Sequence, residues 1–260
     1  MIEVRLDRKI ILVTGGTQGL GEAIARAAAE AGAAGLCITG RNVARGQAVA
    51  AAIERDGCPT LFVPAELEDP DACRAIVAKA EERFGRIDGL VNAAGLTDRG
   101  TIDDTTVELW DRLFAVNVRA PFILTQEVVR RLKAAGRPGS IVNIITMSSH
   151  GGQPFLTAYS SSKGALAVMT KNTAHALRRH RIRVNGLNIG WTDTPGEHVI
   201  QQRDGKPADW LSRAEAVQPF GRLIKPRDVA VMTAYLLSDA SEMMTGSLID
   251  FDQNVMGAYD

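Results

Sequence analysis

Short apolar runs alternate with amphipathic stretches along the whole chain. Seven runs of five to seven mostly apolar residues have the pattern of strands that are buried on both faces. They cover 9–15, 35–40, 60–64, 87–92, 140–146, 182–188 and 246–251. Because helical segments separate these runs, we predict a single α/β domain over 1–260, with about seven parallel strands in a doubly wound sheet and helices on both faces.

Local signals predict where several of the helices begin. Asp69 and Pro70 suit an N-cap and a first helical position, so a helix is expected from there to Phe84. Thr105 and Glu108 match a capping box at the start of a long helical region that should run to about residue 135. The remaining helices are predicted at 19–32, 43–55, from Tyr159 to about 180, at 208–216 and at 226–238.

Composition excludes several classes of function. The formal net charge of +0 provides no field for nucleic acid or an anionic membrane, and no apolar run is long enough to span a bilayer. The basic run at 178–183 closes a helix and has no aromatic residues within it. Three cysteines form no CxxC pair, and four histidines lack metal-ligand spacing. We expect a cytoplasmic protein with reduced thiols, no metal and a small-molecule ligand.

The stretch TGGTQGLG at 14–21 lies between the first predicted strand and a helix. Gly15, Gly19 and Gly21 would allow a tight turn and the close approach of a diphosphate to the helix N-terminus. The spacing excludes a Walker loop, because Glu22 stands where that motif needs lysine, and it also differs from GxGxxG. Taken alone, the stretch is also compatible with an ordinary strand-to-helix turn.

Tyr159 and Lys163 stand four residues apart on a predicted helix and therefore share one face. A cation about 4 Å from a phenol favours the phenolate by roughly 4 kcal/mol at an effective dielectric near 20, or about three pKa units. We therefore expect Lys163 to lower the pKa of Tyr159 enough for acid–base chemistry near pH 7. In isolation, a surface pair of little consequence would be the favoured interpretation of these two residues.

The motifs together resemble those of the short-chain dehydrogenase/reductase family. TGxxxGxG at 14–21, NAAG at 92–95, Asn117 in FAVNVRAPF and Tyr159-x-x-x-Lys163 occur in the family's order and spacing over nearly the whole chain. The resemblance implies a Rossmann-type fold and hydride transfer between a nicotinamide and a secondary alcohol or ketone. It further implies that Tyr159 is the acid/base, that Asn117 serves a proton relay through Lys163, and that Thr146 orients the substrate.

The resemblance also implies the residues that contact the cofactor. They are Gly15, Thr17, Gln18, Gly19, Leu20, Gly21, Arg41, Glu66, Leu67, Asn92, Ala93, Gly95, Tyr159, Lys163, Ile189, Gly190, Thr192 and Thr194. The chain departs from the family pattern at three of its positions. Thr146 stands where the family has serine, with Ser148 as the alternative hydroxyl. Ile189 replaces a proline, and Glu66 replaces an aspartate.

The end of the second strand bears on the choice of cofactor. Gly40 stands where a carboxylate would repel a 2′-phosphate, and Arg41 follows with a guanidinium that can bind one. We therefore predict NADP, with NAD as the alternative because Gln18 does not supply a second cation.

The substrate is expected to lie under a polar covering loop near 195–220. With His150 and Gln153 nearby, this loop suits a small polar substrate such as a sugar or polyol. The alternatives are a 3-oxoacyl-type reductase and a non-catalytic nucleotide-sensing protein of the same fold; an epimerase or dehydratase would carry TGxxGxxG. The resemblance also implies a homotetramer, with the tail at 246–259 packed across an interface.

Overall fold

The computed structural model describes residues 4–257, and in that part of the chain seven strands form one parallel sheet. The strands are β1 (Ile10–Thr14), β2 (Gly35–Gly40), β3 (Thr60–Pro64), β4 (Gly89–Asn92), β5 (Gly139–Ile144), β6 (Ile182–Ile189) and β7 (Leu248–Phe251). Their order is β3-β2-β1-β4-β5-β6-β7, so the winding reverses between β1 and β4. The register pairs Val13 with Ile38 on one side and with Val91 on the other.

Helices cover both faces of the sheet. They are α1 (Gly19–Glu30), α2 (Val43–Arg55), α3 (Pro70–Phe84), α4 (Val107–Phe114), α5 (Ala120–Ala134), α6 (Thr157–Leu177), α7 (Pro195–Arg203), α8 (Trp210–Ala216) and α9 (Pro226–Leu237). One apolar core lies between the sheet and α1, α2 and α9, and the other lies between the sheet and α3, α5 and α6. Since both faces are covered, every residue of β1 is buried, which explains its continuous apolar run. The predicted doubly wound α/β fold is confirmed.

The structure corrects two of the predicted elements. The N-cap of α4 is Thr106, whose hydroxyl accepts from Leu109 N at 3.2 Å, whereas the Thr105 hydroxyl bonds the Thr101 carbonyl at 2.5 Å. The predicted capping box was therefore wrong by one residue. The segment near 195–220 is not an extended loop, because α7 and α8 occupy most of it.

The structure also shows the cysteines, the helix lengths and most of the predicted tail. The three cysteines, Cys37, Cys58 and Cys73, are free and buried, and burial raises the pKa of their thiols to about 12, 11 and 11. No helix between residues 4 and 257 is long and apolar enough to cross a membrane. The predicted tail at 246–259 forms β7 and a short extension, and its last two residues lie outside the described part of the chain.

Candidate active site

A cleft of about 610 Å³ opens at the carboxyl ends of the strands, where the winding reverses. Most residues predicted to contact a cofactor line it. They are Gly15, Thr17, Gln18, Gly19, Leu20, Gly21, Arg41, Leu67, Ala93, Gly95, Tyr159, Lys163, Ile189 and Thr194. The walls also include Arg45, Leu96, Glu197 and Ile200, which the sequence analysis did not assign to the site. The fold therefore brings distant motifs to one place.

The glycine loop forms one wall and gives it the character of an anion site. A methyl group built on Gly21 would lie 2.2 Å from the carbonyl oxygen of Gly15, so only glycine permits this turn. Gly15 and Gly19 have φ values of +67° and +55°, a region that favours glycine. Gln18, the N-cap of α1, makes no side-chain cap hydrogen bond. The first-turn N–H groups of α1 therefore have no side-chain cap and can bind a diphosphate.

Thr14 joins the glycine loop to the NAAG segment. Its hydroxyl accepts hydrogen bonds from Ala93 N at 3.0 Å and from Ala94 N at 3.1 Å. Asn92, in contrast, is turned into the core, where its amide donates to Asn143 Oδ1 at 2.8 Å. The Asn92 side chain therefore belongs to a buried polar pair between β4 and β5, and a contact of this residue with the cofactor stays a prediction.

Two arginines stand where an adenosine phosphate would bind. Arg41 follows β2, and Arg45 on the first turn of α2 donates a hydrogen bond to Gln18 Oε1. A methyl group on Gly40 would lie 2.7 Å from the Thr17 side chain, so the carboxylate typical of NAD enzymes would clash at this position. The sequence analysis missed Arg45, which supplies the second cation that Gln18 does not.

Three further residues with a predicted cofactor contact do not line the cleft, so their contacts stay predictions. Glu66 is exposed, whereas its neighbours Ala65 and Leu67 line the cleft, because the chain after β3 turns alternate side chains outward. Gly190 and Thr192 also lie outside the cleft walls. A methyl group on Gly190 would lie 2.3 Å from an Asp252 carboxylate oxygen, and the Thr192 hydroxyl donates to Gly190 O at 2.9 Å. Both residues shape the turn after β6.

Tyr159 lines the cleft, and Thr146 stands beside it just after the end of β5. The side chain of Thr146 acts on the Tyr159 phenol and lowers its pKa, and its Oγ1 accepts a hydrogen bond from Ser148 N at 3.2 Å. The Ser148 hydroxyl instead donates to Gln153 Oε1. Of the two hydroxyls left open by the sequence, that of Thr146 is therefore the one beside the tyrosine.

Lys163 lies on the same face of α6, as the spacing predicted, but its ammonium group has another partner. Its Nζ donates to the Ile144 carbonyl at 2.8 Å. Burial raises the pKa of Tyr159 to about 12, with a further contribution from the charge of Glu197, and burial lowers the pKa of Lys163 to about 8. The predicted lowering of the Tyr159 pKa by Lys163 is thus not produced by the protein groups, because removal from water dominates.

Asn117 lies in a short π-helical turn, Ala115–Arg119, between α4 and α5. Its side chain is fully buried; the amide oxygen accepts from Leu96 N at 2.9 Å, and the nitrogen donates to Leu96 O and Ser162 Oγ at 3.0 Å each. A methyl group on Gly95 would lie 3.4 Å from both Asn117 Oδ1 and Lys163 Nζ. Asn117 therefore holds the segment beside Lys163, and its part in a proton relay stays a prediction.

Comparison with known proteins decides the family. A family model described as "Enoyl-(Acyl carrier protein) reductase" matches residues 15–253. The chain is 35% identical over 246 residues to the NADP-dependent (R)-specific alcohol dehydrogenase of Lentilactobacillus kefiri, with 94% of each chain covered. The chain belongs to the short-chain dehydrogenase/reductase family. It is an NAD(P)-dependent oxidoreductase of that family, which acts on CH–OH groups.

Two more short-chain relatives support this assignment. Sorbitol dehydrogenase of Cereibacter sphaeroides is 34% identical over 257 residues, covering 96% of this chain and 98% of the relative. A solved structure, titled as a putative short-chain alcohol dehydrogenase from Sinorhizobium meliloti 1021, superposes with a TM-score of 0.90 at 31% identity, covering 99% of this chain and all of that one.

The residues present fit the nicotinamide dinucleotide that this family uses. The glycine cradle and the uncapped α1 terminus suit its diphosphate, and Arg41 and Arg45 suit an added phosphate. Between residues 4 and 257, no group of three or more potential metal ligands is placed to hold an ion.

Proposed function

We propose that the chain is an NADP-dependent short-chain dehydrogenase/reductase that interconverts a secondary alcohol and a ketone on a small polar substrate such as a sugar or polyol. One observation carries this proposal: Tyr159 and Lys163 line the same cleft as the glycine loop, and the Thr146 side chain acts on the Tyr159 phenol. A hydroxyl pair at that place can hold and protonate a carbonyl oxygen.

Each polar side chain then has a distinct task. The cleft residues would hold a nicotinamide, and the chemistry that such a group would supply is hydride exchange with the substrate carbon. The Tyr159 phenol gives a proton to the substrate oxygen in reduction and takes it back in oxidation. Thr146 donates to the same oxygen and keeps it beside the phenol. Lys163 holds a buried positive charge near the phenol, and Asn117 fixes the Leu96 segment that borders it.

NADP is favoured over NAD by the cations at the end of β2. Arg41 and Arg45 both line this part of the cleft, and Gly40 leaves no carboxylate to repel a 2′-phosphate. The similar alcohol dehydrogenase from Lentilactobacillus kefiri is named as NADP-dependent, which agrees with this choice.

The proposed substrate class is supported by the polar lid formed by α7 and α8 and by the likeness to a sorbitol dehydrogenase. A 3-oxoacyl-type reductase is the second candidate, favoured by the acyl-carrier description of the matching family model.

We further propose a homotetramer. Phe220 and Val255, near the β7 edge, expose 78% and 76% of their surface, and such exposed apolar residues suit an interface between subunits.

The test is a panel of polyols, sugars, simple ketones, keto acids and a 3-oxoacyl thioester, assayed with NADP(H) and NAD(H). We expect turnover of neutral hydroxylated compounds with NADP(H). Preferred turnover of the thioester would support the second candidate. No turnover of any compound would refute both and favour a nucleotide-sensing protein.

A further inference from the structure

Glu197 is the one carboxylate among the described residues that line the active-site cleft. It lies on the first turn of α7, and its backbone N–H donates to the hydroxyl of the N-cap Thr194 at 3.1 Å. Only 17% of its side chain is exposed. The helix start therefore fixes this acidic group at the substrate end of the cleft, on the element that covers it.

The contacts of Glu197 all fall on one of its two carboxylate oxygens. Its Oε1 accepts from two neutral donors, Trp191 Nε1 at 2.9 Å and Gln201 Nε2 at 2.5 Å. Arg99 forms an ion pair with the same oxygen at 3.8 Å and also pairs with Asp204 at 2.5 Å. Within the described residues, Oε2 accepts no hydrogen bond, so this oxygen is available to a ligand.

The charge of Glu197 reaches the reacting group. Glu197 and Tyr159 line the same cleft, and the charge of Glu197 is one of the causes that raise the pKa of the phenol. An anionic substituent of a substrate held in this cleft would be repelled by the carboxylate, and a hydroxyl substituent would find an acceptor.

We propose that Glu197 determines specificity: its free carboxylate oxygen accepts a hydrogen bond from a hydroxyl group of the substrate and rejects substrates that carry a carboxylate near the carbonyl. This inference rests on the proposed function and narrows its substrate class to neutral, hydroxylated compounds. It also separates two groups of the panel, since keto acids become poor substrates while polyols and hydroxyketones remain good ones.

A purely structural role for Glu197 makes a different prediction. Its bonds to Trp191 and Gln201 hold the lid together, so loss of the carboxylate through such a role would weaken all substrates alike. Trp191→Phe keeps an aromatic ring but removes the N–H donor to Glu197 and part of the indole that stacks on Trp210. Because the carboxylate remains, this variant shows how much of any effect comes from the packing of this region. Glu215→Gln removes an equal charge from α8, outside the cleft, and serves as the charge control.

The experiment compares 4-hydroxy-2-butanone with acetoacetate, which share a carbon skeleton and differ in a hydroxyl or a carboxylate. Both are measured with NADPH as substrates, and as competitive inhibitors of the best panel substrate. In Glu197→Gln we expect the preference for the hydroxyketone over the acid to fall at least tenfold. Trp191→Phe and Glu215→Gln should keep the wild-type preference. The basic limb of the pH profile should also move to lower pH in Glu197→Gln, because the charge that raises the Tyr159 pKa is gone.

Each outcome decides between the two roles. An unchanged preference in Glu197→Gln, or an equal loss of preference in Trp191→Phe, overturns the role of Glu197 while leaving the dehydrogenase activity established. A wild-type protein with no turnover of any panel compound overturns the proposed function and this inference together.

Discussion

Replacing Thr146 with valine tests the proposed joint action of Thr146 and Tyr159 on the substrate oxygen. The change keeps the shape of the side chain and removes its hydroxyl, which acts on the Tyr159 phenol and lowers its pKa. A hydrogen bond to a charged group contributes about 1.5–3 kcal/mol, and loss of a donor to a developing oxyanion costs roughly 3–4 kcal/mol in other enzymes. Both free-energy contributions come from the same hydroxyl, so they should not be added together. We therefore expect kcat/KM to fall by about 100- to 1,000-fold, which corresponds to the loss of the oxyanion donor alone.

The same substitution has two further measurable effects. Because the Thr146 bond lowers the pKa of Tyr159, its loss should raise that pKa and move the pH limb of alcohol oxidation to higher pH. Thr146 also caps the short 3-10 turn Met147–His150 through Ser148 N at 3.2 Å. Loss of that cap should cost about 1 kcal/mol of unfolding free energy in a urea titration.

Two comparison variants make the test decisive. Thr146→Ser retains the hydroxyl and should keep near-wild-type kcat/KM and pH profile. Ser148→Ala removes a hydroxyl that donates to Gln153, so it should have little effect on the chemical step. If Thr146→Val stayed within twofold of wild type while Ser148→Ala lost activity, the assignment of the hydroxyl to Thr146 would be refuted.

Three other predictions address the acid/base, the cofactor and the lid. Tyr159→Phe should abolish turnover and leave NADPH affinity by fluorescence titration nearly intact; more than a few per cent of wild-type kcat would remove Tyr159 from the mechanism. Arg41→Ala and Arg45→Ala should each lower the NADP/NAD ratio of kcat/KM by about tenfold or more, and unchanged ratios would contradict the phosphate site. The Lys225–Glu215 hydrogen bond, at 2.7 Å, lowers the pKa of Glu215 and raises that of Lys225. Its stabilisation should be complete between about pH 5 and 10 and be lost below pH 4.5 and above 10.5, since the carboxylate pKa is depressed and the ammonium pKa is raised. Lys225→Met should therefore differ from wild type in unfolding free energy only inside that window, and an equal difference at pH 3 would contradict the pairing.

The strands were predictable from the sequence because burial on both faces removes polar residues from them. Ile10–Thr14 is buried at every position, and the observed strand lies within the predicted run at 9–15. The cofactor residues were less predictable, because a motif specifies a position along the chain but not the direction of its side chain. Asn92 and Glu66 are each followed in sequence by a residue that lines the cleft. The Asn92 side chain nevertheless faces the core, and the Glu66 side chain faces outward.

Arg45 and Glu197 were missed for a related reason. Each lies on the first turn of a helix, where a charged residue in sequence is indistinguishable from an ordinary solvated one. Only the fold, which places both helices at the cleft, brings the two charges to its walls. Their signs then match opposite ends of the site: a cation where a phosphate is expected, and an anion where a neutral substrate is expected.

The pKa values of Tyr159 and Lys163 show what pairwise charge arithmetic omits. That arithmetic considered one cation beside one phenol and neglected the removal of both from water. Burial penalises each charged form, so the pKa of the phenol rises to about 12 while that of the ammonium falls to about 8. Near pH 7 the protein groups therefore present a protonated phenol beside a charged lysine. In the proposed reaction, that state would give a proton to a ketone oxygen. Oxidation would instead need the phenolate, which burial disfavours, so we expect alcohol oxidation to require a higher pH than ketone reduction.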